Sequence, residues 1–190
     1  MVDADDTKVS DETLIGRIAA GDPAAFDRLV RRHQAAVYRF VRAAVPADDP
    51  AEVEEILRET FRAARRAAPR HRDESSARPW LLALARQTID RKHPRPREAA
   101  DLVSLRELAR EAGWGSGGGG IAGDEDLAIE TAFGALHPED REILSLCDRE
   151  YFTVDEAARV TGLSDAAVRM RLHRARLRLL ARLKEDAYGG

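Results

Sequence analysis

Residues Thr153 to Arg176 read TVDEAARVTGLSDAAVRMRLHRAR. Thr153 followed by Glu156 is a capping box and predicts the start of a short helix. Ala158 is small, as required where a second helix crosses closely. Gly162 stands where the turn needs a positive φ, Leu163 is placed to plug the core, and Ser164 is a cap for the next helix. Val168 then faces inward. Short helix, glycine turn and longer second helix together predict a helix-turn-helix.

At about 100° per residue, Val168, Leu172, Ala175, Leu179 and Leu183 form one seam of the second helix, which must pack on its domain. The outward side holds Ala166, Arg169, Met170, His173 and Arg174, flanked by Arg171 and Arg178, and Leu177 is expected to be exposed. From Arg169 to Lys184 there are seven cations and no acid. Arginines there can bond guanine or clamp phosphate, and Met170 and Ala166 can touch thymine methyls. An amphipathic helix of a plain bundle, its arginines solvated, has the same wheel. The caps, the turn and the acid-free face favour DNA.

Two more helices precede this pair: roughly Glu125 to Leu136 and Pro138 to Asp148 complete a second domain, 125–190. Upstream, residues 94–124 contain prolines and then the run Gly115 to Gly120 broken only by Ser116, which predicts a flexible linker. Residues 1–93 form a first domain of four helices. Ser10 and Asp11 cap the first, through Ala20. Asp22 with Pro23 starts the second, whose apolar side is Phe26, Leu29, Val30, His33, Val37, Phe40, Val41 and Ala44. His33 there reads as a satisfied core or edge histidine. The third runs from near Pro50 to about Ala68, and the fourth carries Trp80, Leu81, Leu84, Ala85, Thr88 and Ile89. No alternating strand pattern occurs, so the fold class is all-α: two small helical domains joined by a Gly-rich linker.

The chain of 190 residues carries a net charge of −3, so it is not a basic nucleic-acid binder as a whole. One cysteine, Cys147, excludes a disulfide framework and reads as core filler beside Ile143, Leu144 and Leu146. No apolar run is long enough to span a bilayer and no signal segment opens the chain, which points to a cytoplasmic protein without membrane insertion. The paired acids Glu54 with Glu55 and Asp124 with Asp126 lack a histidine or a phosphate loop in a structured context. No catalytic site, cofactor or metal is expected.

In these residues the chain resembles the extracytoplasmic-function group of the sigma-70 family. The second-domain pattern is carried by Leu136, Pro138, Arg141 and Leu144, then Asp155, Glu156, Ala158 and Gly162, then Val168, Arg171, Leu172, Arg174, Ala175 and Arg176. The first-domain pattern is carried by Gly21 to Val30, Glu54 to Phe61 and Pro79 to Arg86. The resemblance implies a transcription initiation factor that docks on RNA polymerase core and reads promoter DNA, commonly under the control of an anti-sigma factor. It implies that the second domain (sigma region 4) meets the −35 element through Ser164, Arg169, Met170, Arg171, His173, Arg174 and Arg176. It implies that the first domain (sigma region 2) meets the −10 element through His71, Arg72, Arg78, Trp80, Gln87 and Arg91, and melts it. His71 and Gln87 match a pocket for a flipped base, whereas Trp80 reads more as a core wedge than as a base platform. Glu55, Arg58, Glu59 and Arg62 match the helix that grips the polymerase clamp helices, where the family usually has glutamine in place of Arg58. The alternative is a helix-turn-helix repressor or activator independent of the polymerase core.

Overall fold

The computed structural model describes residues 9–46, 49–71, 76–94 and 125–188. The expected linker therefore lies outside the described residues, apart from Pro94 at its start. Among the described residues every regular element is helical, in two compact units.

The first unit contains α1 (Asp11–Ala19), α2 (Pro23–Ala44), α3 (Pro50–Ala67) and α4 (Ala77–Lys92), with a 3-10 turn at Ala68–Arg70. Local chemistry sets the boundaries. The Ser10 hydroxyl accepts from the Thr13 N–H at 3.2 Å. Gly21, at φ +91°, turns the chain after α1. Asp22 then accepts from the Ala24 and Ala25 N–H groups at 2.9 and 3.2 Å, with Pro23 in the first helical position. Asp49 does the same for α3 through Ala51 at 3.0 Å. Each cap satisfies N–H groups that the helix leaves without partners.

Helix α2 packs against α1, α3 and α4. Its residues Leu29, Val37, Phe40 and Val41 are buried with Leu14 and Ile15 of α1, Val53 and Ile56 of α3, and Leu81, Leu82 and Ile89 of α4. Two threonines enter this core because their hydroxyls donate to carbonyls one turn back, Thr60 to Ile56 at 2.8 Å and Thr88 to Leu84 at 3.0 Å.

His33 sits on the buried side of α2 and its Nε2 lies 2.7 Å from Asp11 Oδ2. Arg32 reaches the other oxygen of Asp11 at 2.5 Å and the Val9 carbonyl at 3.0 Å. Burial pushes the His33 imidazole below its usual value, and Arg32 and Arg78 add to this, while Asp11 opposes it. The folded unit thus holds a neutral His33 that donates to Asp11, and the unfolded chain takes up the proton first. Stability from this group is full above the free value of 6.5 and falls as pH drops below it. A midpoint of urea unfolding followed from pH 8 downward should decline below about pH 6.5, and His33→Gln should flatten that decline. An identical pH profile for the variant would remove His33 as the cause.

The second unit contains α5 (Glu125–Gly134), α6 (Pro138–Leu144), a π-helical turn at Ser145–Arg149, α7 (Val154–Thr161) and α8 (Asp165–Tyr188). The helix expected to continue to Asp148 instead widens after Leu144: the Glu150 N–H bonds back five residues to the Ser145 carbonyl at 3.0 Å. Tyr151 follows at φ +56°, a left-handed conformation unusual for a non-glycine residue, with its side chain 85% exposed. Phe152 then returns to the core, its N–H bonded to the Leu146 carbonyl at 2.9 Å. Cys147 lies in the widened turn and is only half-buried, so it does not fill the core as expected. Its thiol is pushed up by desolvation and then by Asp148. The core comprises Phe133, Leu136, Ile143, Leu144, Leu146, Phe152, Ala157, Val160, Val168 and Ala175. Leu177, expected outward, is 3% exposed with Ala181 against it, and Leu180 is the exposed leucine of that turn.

Candidate nucleic-acid interface

Helices α7 and α8 form the helix-turn-helix. The Thr153 N–H and hydroxyl both reach Glu156 Oε2 at 2.9 Å, and the Glu156 N–H returns to the Thr153 hydroxyl at 3.2 Å, which closes the capping box. Gly162 has φ +71°, and a Cβ there would meet nothing within 4 Å. Backbone angle rather than crowding therefore demands glycine. The Ser164 hydroxyl accepts from the Ala167 N–H at 3.3 Å and starts α8. Val168 and Ala175 are fully buried and Ala158 nearly so, and α8 packs against α6 and α5.

This seating exposes a strip of α8 made of Ala166, Arg169, His173 and Arg176, with Ser164 exposed at its start. Met170, Arg171 and Arg174 are half-buried. Arg169 is 64% exposed and approaches Asp165 at 3.7 Å. The absence of acids within the run does not leave its arginines unpaired, because the fold brings acids from elsewhere. Arg171 meets Glu139 at 3.2 Å and Arg178 meets Asp140 at 2.7 Å, both acids on α6. Arg176 meets Asp148 at 2.5 Å.

In the first unit, the ring of His71 stacks on Trp80 with centroids 4.5 Å apart at 43°. His71 Nε2 is buried without a hydrogen-bond partner among the described residues. Trp80 is partly buried and packs on the cluster of Leu14, Ile18 and Leu29. Arg72 lies outside the described residues. Arg78 is half-buried close enough to His33 to act on it. Gln87 is exposed, about 10 Å along α4 from Trp80 at 1.5 Å per residue. Arg91 is exposed and lies 3.2 Å from the Thr88 hydroxyl and 3.8 Å from Glu59.

A separate patch gathers Glu55, Arg58, Glu59 and Arg62 around a depression of ≈ 320 Å³ on α3. Lys92, at the end of α4, reaches Glu55 at 2.7 Å and Glu59 at 4.0 Å. The bond to Lys92 holds the Glu55 carboxyl below its usual range, and Glu55 holds the Lys92 ammonium above its own. His93 makes a parallel contact with Glu52 at 2.9 Å. Lys92 is thereby turned onto α3. Among the described residues no cluster of metal-ligating side chains occurs, and no helix is long and apolar enough to cross a membrane.

Residues 29–95 match the family model for sigma-70 region 2, and residues 126–179 match that for sigma-70 region 4. A probable RNA polymerase sigma-C factor of Mycobacterium bovis is 32% identical over 179 residues, covering 90% of each chain. The chain belongs to the sigma-70 family. It is a sigma factor of the extracytoplasmic-function group, which binds RNA polymerase core and directs promoter-specific initiation of transcription. A helix-turn-helix regulator independent of the polymerase would leave the region 2 match without a role. The sigma factor is also 29% identical to CnrH of Cupriavidus metallidurans over 197 residues, covering 94% of this chain and 96% of that one. The solved structure of CnrH in complex with the cytosolic domain of CnrY superposes with a TM-score of 0.64 at 30% identity, over 93% of this chain and 98% of the other. The sigma factor RpoE from Bartonella quintana, solved with the anti-sigma factor NepR, shares the fold with a TM-score of 0.61 at 20% identity, over 85% of this chain and 98% of the other. The α7–α8 strip falls within the region 4 match, and the His71–Trp80 and Glu55–Arg62 patches fall within the region 2 match.

Proposed function

We propose that this sigma factor divides promoter recognition between its two units, with residues 125–190 reading the −35 element and residues 1–93 docking on the polymerase and opening the −10 element across a linker at 94–124. The exposed strip of Arg169, His173 and Arg176, presented by a capped helix-turn-helix, carries the reading. Its guanidinium and imidazole groups suit base edges and phosphates, with Ser164, Met170, Arg171 and Arg174 at its margins. In the first unit, extruding a base costs a few kcal/mol. His71 on Trp80, with Arg72, Arg78, Gln87 and Arg91, supplies polar and cationic groups that offset this cost by holding the single strand. Glu55, Arg58, Glu59 and Arg62 form the polymerase-docking patch, where the clamp helices bind. Glu59→Lys should lower capture of core polymerase about tenfold or more, because a docking acid becomes a cation. Equal capture by the variant would remove α3 from the interface. The chain acts in the cytoplasm as a binding protein without a catalytic site, cofactor or metal. Control by an anti-sigma factor is supported by the resemblance and by the CnrH relative having been solved with a partner's cytosolic domain. Run-off transcription with core polymerase on promoter fragments tests the whole: absence of start-site selection by the purified chain would overturn it.

A further inference from the structure

Arg176 is held by Asp148 in a particular way. The carboxylate accepts from Arg176 Nε at 3.2 Å and from Nη2 at 2.5 Å, across 28 residues of sequence. This two-bond, side-on geometry is the one with which a guanidinium takes a phosphate. The two side chains are 53% and 37% exposed, and exposed pairs of this kind hold weakly, so the partner is exchangeable. The pairs made by Arg171 and Arg178 differ, since their acids are only 16% and 5% exposed and brace α8 against α6. Arg176 also shares the exposed strip with Arg169 and His173, seven and three positions earlier, whereas Arg171 and Arg178 lie on its flank.

We propose that Asp148 is a specificity-determining residue that occupies the phosphate-binding fork of Arg176 until a seated promoter displaces it. With α8 as the DNA-facing helix of the function proposed above, each arginine that meets a phosphate strengthens binding to any duplex, because phosphates carry no sequence information. On non-cognate DNA nothing holds α8 in place, so Arg176 stays with Asp148 and adds no affinity. On the cognate site the base contacts of its neighbours press the backbone against the fork, and the carboxylate yields to phosphate. The acid therefore lowers indiscriminate binding.

The test titrates the full chain with a fluorescent random-sequence duplex over a series of salt concentrations. Asp148→Asn should raise affinity several-fold at low salt and steepen the log–log salt dependence by about one unit, the signature of one more neutralised phosphate. In an Arg176→Gln background the same substitution should change affinity by less than about twofold. An equal rise in both backgrounds is a bulk charge effect and overturns the role of Asp148, as does no rise, or no binding by either form at low salt. Asp148→Ser must repeat the shift with helical circular dichroism intact, so that an unfolded variant cannot stand in for a result. Arg169→Glu in the same titration tests the underlying reading: no weakening means that α8 does not face DNA. Weakening there, with a background-independent Asp148→Asn, refutes Asp148 alone.

Discussion

Promoter complexes formed with an Arg169→Glu chain should be about a hundredfold weaker than those of the parent, with capture of core polymerase unchanged. The residue lies in the first turns of α8, where a helix-turn-helix reads base edges. It is 64% exposed, with a single loose approach to Asp165 to hold it back. Losing an arginine contact to a base or phosphate removes about 1–3 kcal/mol, and the new carboxylate adds repulsion from the backbone. At about 1.4 kcal/mol per decade the sum reaches two decades. Run-off transcription from the cognate promoter and gel-shift affinity of the holoenzyme would both report it. Wild-type activity in either would place some other face of the unit against DNA. Because Arg169 braces nothing in the core, thermal unfolding of the second unit should hardly move.

The second large effect concerns the other unit. Phe40 is fully buried on α2, the helix that packs against all three others of the first unit. Phe40→Ala should destabilise that unit by about 3–5 kcal/mol through lost burial and the cavity left behind. That is a large share of the roughly 5–15 kcal/mol that holds a small domain together. Urea unfolding followed by circular dichroism should show the transition of the first unit shifted to lower denaturant and that of the second unit unchanged. Polymerase capture near physiological temperature should fall with it. A common shift of both transitions would mean that the two units fold as one, and a loss under about 1 kcal/mol would mean that the core closes over the gap.

Much of this architecture is legible in the chain because its signals are local. Asp22–Pro23, Asp49–Pro50 and Thr153–Glu156 mark helix starts within four residues, and Gly162 marks a turn by its backbone angle alone. What escaped reading depends on residues far apart or on turns without a compositional mark. The widened turn after Leu144 has no glycine or proline to announce it, and the left-handed Tyr151 carries no sequence cue. A single seam drawn along α8 misplaced Leu177, since the helix buries one side near Val168 and another by its later turns. The charge run looks free of acids because Asp148 and Asp140 lie 28 and 38 positions from their arginines, with Glu139 in between, and meet them only after folding. For the same reason the pairing of Lys92 with Glu55, 37 residues earlier, has no local signature.

Tyr151 bends the chain at φ +56° just before Phe152 re-enters the core. An ordinary residue held in the mirror-image half of the backbone map costs about 1 kcal/mol or more, and here no burial repays it, since the ring stands in solvent. Glycine takes the same backbone angle without that cost, so the position forgoes stability that one substitution would restore.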